Sequence, residues 1–426
     1  MRIKQEFGFA VFIFILLLIV KVFFISSTYL VDDEAYYAMY ARHLAWGYID
    51  HGPVVAFVIW LFTITNESGF TVRLGPVVLL SLLPIILYIV INKYLNRQFA
   101  LIASLTLIAN LMFYTNSIII TPDVPLAFFS ILSILFYYIA FFKDDRFMYL
   151  GGVMLGLSVL SKVSALFPAF GIFLFPILIK EKRHLLKNVH FYGSFFISFL
   201  IFIPFIVWNF QNDFAFVKYQ GNHILEKGGL SDFFELWIGA AILIGPLFFY
   251  YSAIKPIIFL LKWKHLSIEK QYFSLVTLIP LTYFLFHSFF SRFELNWIAP
   301  VFFGGLFLLS MEESSRKKVS KSFRFQLFYS LFFITLIMVQ SFFPLLPLKG
   351  KSDPTNRYYM YASLIEDIKT TVMNDVSNSG LRIVSNEFQI PSIINFYLNP
   401  KLEAICLSID YHETLYSFHY LSLIHI

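Results

Sequence analysis

Apolar stretches of about twenty residues recur along the chain, from the N-terminus almost to residue 346. As a helix, each stretch is long enough to cross the roughly 30 Å of hydrocarbon in a bilayer. Of the 426 residues, 58% are hydrophobic and only 14% are charged, whereas a soluble domain carries roughly 25% charged residues. The pattern therefore predicts an all-α polytopic membrane protein of about eleven spans, at 8–25, 71–91, 98–117, 124–142, 147–161, 164–180, 190–208, 235–260, 271–289, 296–311 and 325–346.

Basic residues predict the orientation of these spans. Nineteen Lys and Arg residues fall before the first span and in every second loop, and six fall on the other side: Arg42, Arg73, Lys162, Lys218, Lys227 and Arg292. Because basic residues collect in cytoplasmic loops, the N-terminus is expected in the cytoplasm and the segment after Pro347 outside it. The net charge of +6 is explained in the same way, and nucleic acid is not an expected partner.

Two segments on the outer side are longer than connecting loops. In 26–70, a helix from Glu34 to Trp46 carries interfacial aromatics, and Pro53 to Phe62 is apolar but too short to span. Both are expected to be interfacial, although the second could be re-entrant. The other segment, 349–426, predicts a small α/β domain, with helices at 361–372 and 390–397 and a strand at 381–384.

The two ends of the chain carry their own expectations. The first span is long for a cleavable signal peptide, so we expect an uncleaved anchor. Residues 421–426 correspond to the translation of a common transposon adapter and are expected to be foreign. The predicted organisation is a transmembrane module at 1–348, an extracytoplasmic domain at 349–420 that is cut short, and the adapter-derived end.

Acidic residues cluster on the predicted outer face. Asp32, Asp33 and Glu34 directly follow the first span, and Asp123 lies between two spans. Adjacent carboxylates repel one another, which raises at least one pKa and suits a general base. The alternative is that Asp33 and Asp123 only cap the helices that follow them.

Cations and candidate metal ligands lie on the same face. Lys162 and Arg292 could hold a phosphate at the bilayer surface, or could simply extend from helix ends, as is expected of Arg73. Asp50 and His51 could bind a divalent cation, and so could His223, but a pair of candidate ligands is weak evidence because zinc sites usually have three or four. The single cysteine, Cys406, has no partner in the chain for a disulfide.

An ordered set of motifs resembles the GT-C membrane glycosyltransferases, in the bacterial branch related to dolichyl-phosphate-mannose protein mannosyltransferases and the lipid A aminoarabinose transferase. The set covers most of the chain and comprises 33–37, 47–53, 121–126, 160–162, 208–223, 294–297 and 353–357. One departure is Asp50-His51-Gly52-Pro53, where aminoarabinose transferases tend to have Glu-Lys-Pro-Pro and nearer relatives have His-Pro-Pro. A metal site known in some members is therefore not carried over.

The resemblance implies a function and roles. The enzyme would move a sugar from a polyprenyl phosphate to a lipid, glycan or protein acceptor, with inversion, at the bacterial inner membrane. Asp33, Glu34 and Asp123 are then the candidate catalytic residues, with Asp33 as the base. Lys162 and Arg292 would meet the leaving phosphate, and no cofactor is required.

A transporter or flippase of a lipid-linked substrate is the alternative function. Broken helices and charges at the membrane midplane would favour it. The charges here are instead predicted at the outer rim, which favours an enzyme.

Overall fold

The structure is a computed structural model that describes residues 2–224, 227–316, 318–348, 353, 355–371, 383–398, 404–407 and 414–416. Most of these residues are helical. The first nine helices are α1 Arg2–Ser27, α2 Asp32–Arg42, α3 Val54–Thr63, α4 Gly69–Tyr94, α5 Arg97–Ile108, α6 Leu111–Asn116, α7 Asp123–Phe142, α8 Phe147–Ser161 and α9 Leu166–Leu178.

The remaining helices continue to the C-terminal region. They are α10 Val189–Gln211, α11 Ala215–Ile224, α12 Leu230–Ile244, α13 Pro246–Phe249, α14 Lys255–Leu261, α15 Ile268–His287, α16 Pro300–Ser314, α17 Lys321–Phe342, α18 Asn356–Thr371 and α19 Gln389–Tyr397. A π-helical turn, Tyr250–Ile254, joins α13 to α14. Short 3₁₀ segments lie at Val163–Ala165, Lys180–Lys187, Trp263–His265 and Leu295–Ile298.

Helices occupy all the predicted spans, and the chain is a multi-pass membrane protein. Within the described residues, five helices are long and apolar enough to cross a membrane, and a pair bent by 105° at residues 163–187 would make a sixth. The prediction of about eleven spans stays a prediction. Helix α7 lies at the centre of the bundle, with nearly all its side chains buried. By contrast, α1 exposes Phe12, Ile19 and Phe23, as expected for a lipid-facing helix.

Two predicted spans are broken, and the breaks meet. The span at 98–117 stops at Ala109 and restarts as α6, and the span at 235–260 turns at Gly245, whose φ is +84°. Asn110 caps α6 and donates its Nδ2 hydrogen to the Ile244 carbonyl at 2.9 Å. Gln326 donates to the same carbonyl and accepts from Leu247 N. Buried amides thus satisfy the backbone groups that the breaks release, as an apolar surrounding requires.

Helix α2, in the predicted first outer loop, is covered rather than exposed. Tyr36 and Tyr40, which predict an interfacial helix, are 2% and 0% exposed. They are buried because the C-terminal region packs over α2: the Tyr36 ring lies 4.5 Å from that of Phe388, and its hydroxyl accepts from Leu415 N at 3.0 Å. Trp46, beyond the end of α2, remains 53% exposed.

The C-terminal region contains the predicted α/β elements. Strand β1, Ile383–Ser385, pairs in parallel with β2, Ala404–Cys406, and α19 connects them. Helix α18 and α19 match the two predicted helices to within a few residues. The domain boundary at 349 stays a prediction, and the expected adapter-derived residues 421–426 lie outside the described residues.

Candidate active site

Three adjacent acids begin α2, and their surroundings separate them. Asp32, Asp33 and Glu34 occupy the first helical turn, where the helix dipole favours negative charge. The side chains of Asp32 and Glu34 are buried, but that of Asp33 keeps 43% of its surface exposed. Exposure alone therefore identifies Asp33 as the acid of this turn that a substrate can reach.

Glu34 forms a buried ion pair with Arg73 of α4. Both side chains are 0% exposed. The Glu34 carboxylate also accepts hydrogen bonds from Val31 N at 3.0 Å and Ile120 N at 3.1 Å. Since these groups occupy both oxygens, the placement argues against the predicted catalytic role of Glu34. Arg73 is likewise not a helix-end cation extending to water, because its guanidinium also binds Thr28 and Tyr29.

Among the residues that the structure describes, the cation that contacts Asp33 is Arg357 of α18. The Arg357 Nη1 lies 3.4 Å from Asp33 Oδ2 and 3.2 Å from Asp32 Oδ1. Removal from bulk water, followed by the charge of Asp32, raises the pKa of Asp33 to about 6, although Arg357 opposes the rise. A carboxylate with such a pKa is largely ionised at neutral pH and still basic enough to accept a proton.

Asp123 is held between two donors at the start of α7. Its Oδ1 lies 2.8 Å from Lys162 Nζ, and its Oδ2 accepts from Asn296 Nδ2 at 2.8 Å. The side chains of Asp123 and Lys162 are only 3% and 11% exposed. Asp123 does not cap α7, because Pro122 holds the cap position and no side chain bonds there. The ion pair therefore replaces the capping role as the explanation of this acid.

The loop that carries Asp50 and His51 lies against the end of α8. A Cβ at Gly52 would overlap the Leu160 carbonyl oxygen, so only glycine permits this approach, and it accounts for the departure from Pro-Pro at this position. The Asp50 carboxylate accepts from the Tyr40 hydroxyl. Burial raises the pKa of Asp50 to about 6 in spite of this hydrogen bond.

Tyr37 links these acids in space. Its ring centre lies 5.7 Å from that of His51. Burial and then the negative charges of Asp33, Asp50 and Asp123 raise the pKa of Tyr37 well above its ordinary value. The charges of acids from three separate sequence segments thus act on one side chain.

A cavity of about 360 Å³ adjoins this acid cluster. Its polar lining includes Asp50, His51, Lys162, Gln220 and Glu294, and its apolar walls include Phe167, Phe216, Phe284 and Phe293. Gln220 of α11 donates to the Asp50 backbone carbonyl at 2.7 Å, which fixes one wall to another. The cavity thus offers a lysine and hydrogen-bonding groups at one part and aromatic surface elsewhere.

Of the predicted site residues, Asp50, His51 and Lys162 line this cavity, whereas Asp33, Glu34 and Asp123 are not among its lining residues. Arg292 is exposed and follows Ser291, which bridges to Lys227, and it is not among the cavity residues. His223 belongs to α11, but its side chain lies outside the described part of the chain. Within that part, no three His, Cys, Asp or Glu residues form a metal-binding group, and metal dependence stays a prediction.

Sequence reasoning missed two residues that contact the acids. Asn296 and Arg357 both lie in the quoted motifs, at 294–297 and 353–357, but received no role. Their signal was the motif alone, since neither spacing nor hydropathy places them beside Asp123 and Asp33.

Comparisons with known proteins identify the fold. Two crystal structures of ArnT from Cupriavidus metallidurans, one bound to undecaprenyl phosphate and one in the apo state, match with TM-scores of 0.60 and 0.59. The fold is that of the GT-C membrane glycosyltransferases. Both structures share 18% identity with the chain; the matches cover 91% and 92% of the chain and 74% of each ArnT chain.

A family model matches part of the sequence. Residues 50–208 fit the family described as dolichyl-phosphate-mannose-protein mannosyltransferase, and no curated protein sequence matches the chain. The matched range contains Asp50, Asp123 and Lys162, while Asp33 and Arg357 lie outside it. The resemblance to this group of enzymes, expected from the motifs, is confirmed.

Proposed function

We propose that this protein transfers a sugar from a polyprenyl-phosphate donor to an acceptor on the outer face of the bacterial inner membrane. The observation that carries the proposal is Asp33, an accessible carboxylate with a raised pKa. Its charge acts on Tyr37 together with that of Asp50, and Asp50 lines the cavity that contains Lys162. The common fold with an ArnT structure bound to undecaprenyl phosphate supports a donor of this class.

The cavity suits the phosphate end of such a donor. Its aromatic walls can contact an isoprenoid chain, and Lys162 can pair with a phosphate while remaining next to Asp123. A charge-assisted contact of this kind stabilises the phosphate as it takes up negative charge in the transition state. Arg292, which is exposed and lies close to Glu294 in the sequence, remains a second proposed phosphate contact.

Asp33 is proposed to act as the general base. Its carboxylate accepts the proton of the acceptor's nucleophilic O–H group, and the oxygen forms a bond to the anomeric carbon. The bond from that carbon to the phosphate oxygen breaks, and polyprenyl phosphate leaves with the electron pair. One displacement of this kind inverts the anomeric configuration. Asp123 would position the acceptor or the surrounding loops through Lys162 and Asn296.

No metal is required by this scheme, because the leaving group is a monophosphate that Lys162 can neutralise. Lipid, glycan and protein hydroxyl acceptors all have the nucleophile that the scheme needs. The scheme also uses the predicted orientation, with α2 and the C-terminal region outside the cytoplasm.

The test uses the purified full chain in lipid nanodiscs. Radiolabelled polyprenyl-phosphate sugars are incubated with a panel of lipid, glycan and protein acceptors, with and without EDTA. We expect transfer to at least one acceptor that Asp33→Asn abolishes and EDTA leaves unchanged. The matched control is Asp145→Asn, an exposed acid in the loop between α7 and α8.

Two other results would contradict the proposal. Undiminished transfer by Asp33→Asn would remove Asp33 from the catalytic role. In proteoliposomes, movement of labelled lipid between leaflets without any transfer would instead favour a flippase.

A further inference from the structure

Arg357 joins the C-terminal region to the acids of α2. Its position is fixed by Asp353, whose Oδ1 accepts from Thr355 N at 2.8 Å and whose Oδ2 accepts from Gln340 Nε2 at 2.9 Å. Asp353 thus binds the start of α18 to the end of α17. Arg357 lies in the first turn of α18, so the hydrogen bonds of Asp353 fix the backbone that places its guanidinium beside α2.

The charges at the start of α2 do not balance. Three consecutive carboxylates face two guanidinium groups, and Arg73 is committed to Glu34. Arg357 is shared by Asp32 and Asp33, at 3.2 Å and 3.4 Å. The shorter contact goes to Asp32, whose side chain is 7% exposed, and the longer one to Asp33, at 43%. The excess negative charge is therefore greatest at the accessible acid.

The shared contact leaves Asp33 competent to react. Arg357 reaches Asp33 through Oδ2, so Oδ1 remains to receive a proton. A bidentate contact would occupy both oxygens, as Arg73 does at Glu34. A single long contact orients the carboxylate and leaves it able to accept a proton.

We propose that Arg357 is a positioning residue that holds Asp32 and Asp33 together and keeps Asp33 ionised as the base. The inference rests on the proposed function and deepens it, because it makes the C-terminal region part of the catalytic apparatus. It gives that region a task other than covering the aromatic side chains of α2.

The electrostatic surroundings give the direction of the effect. Burial raises the pKa of Asp33 and so do its acidic neighbours, whereas Arg357 lowers it. Loss of Arg357 must then raise the pKa further, and loss of Asp32 must lower it. The ionisable groups that face Asp33 are Asp32, Glu34, Tyr37, Asp50, Arg357 and Tyr361.

The experiment measures sugar transfer by the full chain between about pH 5 and 9, a range that includes the raised pKa of Asp33. For Arg357→Gln we expect the midpoint of the acid limb to rise by roughly 0.5–1 pH unit. With a midpoint near 6 in the free wild-type enzyme, kcat/KM falls about 2- to 5-fold at about pH 6 and less than about twofold at about pH 8. Lys369 lies on the same helix but pairs with Glu366, so Lys369→Gln is the matched control.

A second variant moves the profile the other way. Asp32→Asn removes a neighbouring negative charge and is expected to shift the acid limb to lower pH. Opposite shifts cannot arise from a merely structural role, which would lower kcat/KM at every pH. This variant also tests the inference if Arg357→Gln fails to fold, as judged by thermal unfolding.

The outcomes separate the two proposals. A wild-type protein that transfers no sugar overturns the proposed function. A wild type that transfers sugar, with an acid limb that neither variant moves, overturns the role of Arg357 alone.

Discussion

The Lys162 ammonium lies 2.8 Å from Asp123 Oδ1, and the two side chains, from the end of α8 and the start of α7, are almost entirely buried. The pair brings a cation to the cavity without leaving it unpaired. It also fixes the relation of two helices at the point where the Asp50 loop approaches α8. If Lys162 binds the donor phosphate as proposed, stability and donor binding depend on the same contact.

Lys162→Met is expected to affect both properties. It leaves the Asp123 charge buried without its cation, which costs roughly 3–5 kcal/mol in the free energy of unfolding. It also removes the proposed phosphate contact, so the KM for the donor should rise roughly tenfold or more. Thermal unfolding in detergent and transfer kinetics measure the two effects.

Combining Lys162→Met with Asp123→Asn provides the control. The double variant should recover part of the lost stability but not the donor KM. Recovery of both would mean that Lys162 has no role beyond the ion pair.

Asp33→Asn is expected to stabilise the protein while it abolishes transfer. The pKa of Asp33 is raised to about 6 in the fold from an ordinary value of 3.8, so the folded state favours the protonated form. That contribution to stability is complete below pH 3.8 and is lost as the pH rises through about 6. At pH 7.5 the ionised carboxylate is therefore unfavourable, and the neutral amide removes this cost.

Unfolding midpoints of wild type and variant at several pH values check the sign. The gain in unfolding midpoint for Asp33→Asn should be largest above about pH 6.5, which is roughly half a unit above the folded pKa. The gain should shrink toward about pH 5. A gain that is equal at all pH values would assign it to lost contacts instead.

Much of the fold is predictable because each feature has a local cause. Apolar runs of about twenty residues predict the helices of the membrane region. The strand and helix patterns after residue 349 predict the C-terminal elements. The breaks at Asn110 and Gly245 are not predictable, because each is sustained by a hydrogen bond from a distant helix.

The same distinction applies to the site. Asp33, Asp123 and Lys162 could be selected from charge at the membrane edge and from the motifs. Their partners could not, because Arg357 is separated from Asp33 by most of the chain and only the tertiary fold brings them together. Arg73 was misjudged for this reason: its place at the start of a span suggested water, whereas Glu34 lies against it in the interior.

The Arg73–Glu34 pair should be among the most sensitive to a single substitution. Either Arg73→Met or Glu34→Gln leaves a partner buried with unsatisfied groups, at a cost of roughly 3–5 kcal/mol. The double variant should lose less than the sum of the two. Arg42 and Glu67, 26% and 32% exposed, form the comparison pair, and Glu67→Gln should cost no more than about 1 kcal/mol.

Thermal unfolding midpoints of the variants, each at matched detergent concentration, measure the contrast. Equal losses at the two pairs would show that water reaches Arg73. Because Glu34 also accepts from the Ile120 backbone, a loss confined to the buried pair would show that this acid stabilises the fold, including the loop before Asp123.

Gly52→Ala tests whether the Asp50 loop must lie against α8. The added methyl group would overlap the Leu160 carbonyl oxygen, and a backbone atom cannot rotate away as a side chain can. Overpacking of this kind costs about 1–3 kcal/mol. It should also displace Asp50 and His51 from the cavity, and a shift of about 1 Å can lower kcat by roughly 100-fold.

Gly221→Ala is the matched control on α11, because a Cβ there meets nothing within 4 Å. Alanine is favoured over glycine inside a helix by roughly 0.5–1 kcal/mol, so this variant should be as stable as the wild type or more so. Transfer kinetics and unfolding midpoints distinguish the positions. If Gly52→Ala retained full activity, the loop would not need its close approach to Leu160, and Gly52 would not explain the departure from Pro-Pro. A selective loss of activity would instead show that Gly52 sets the distance between the Asp50 loop and Lys162.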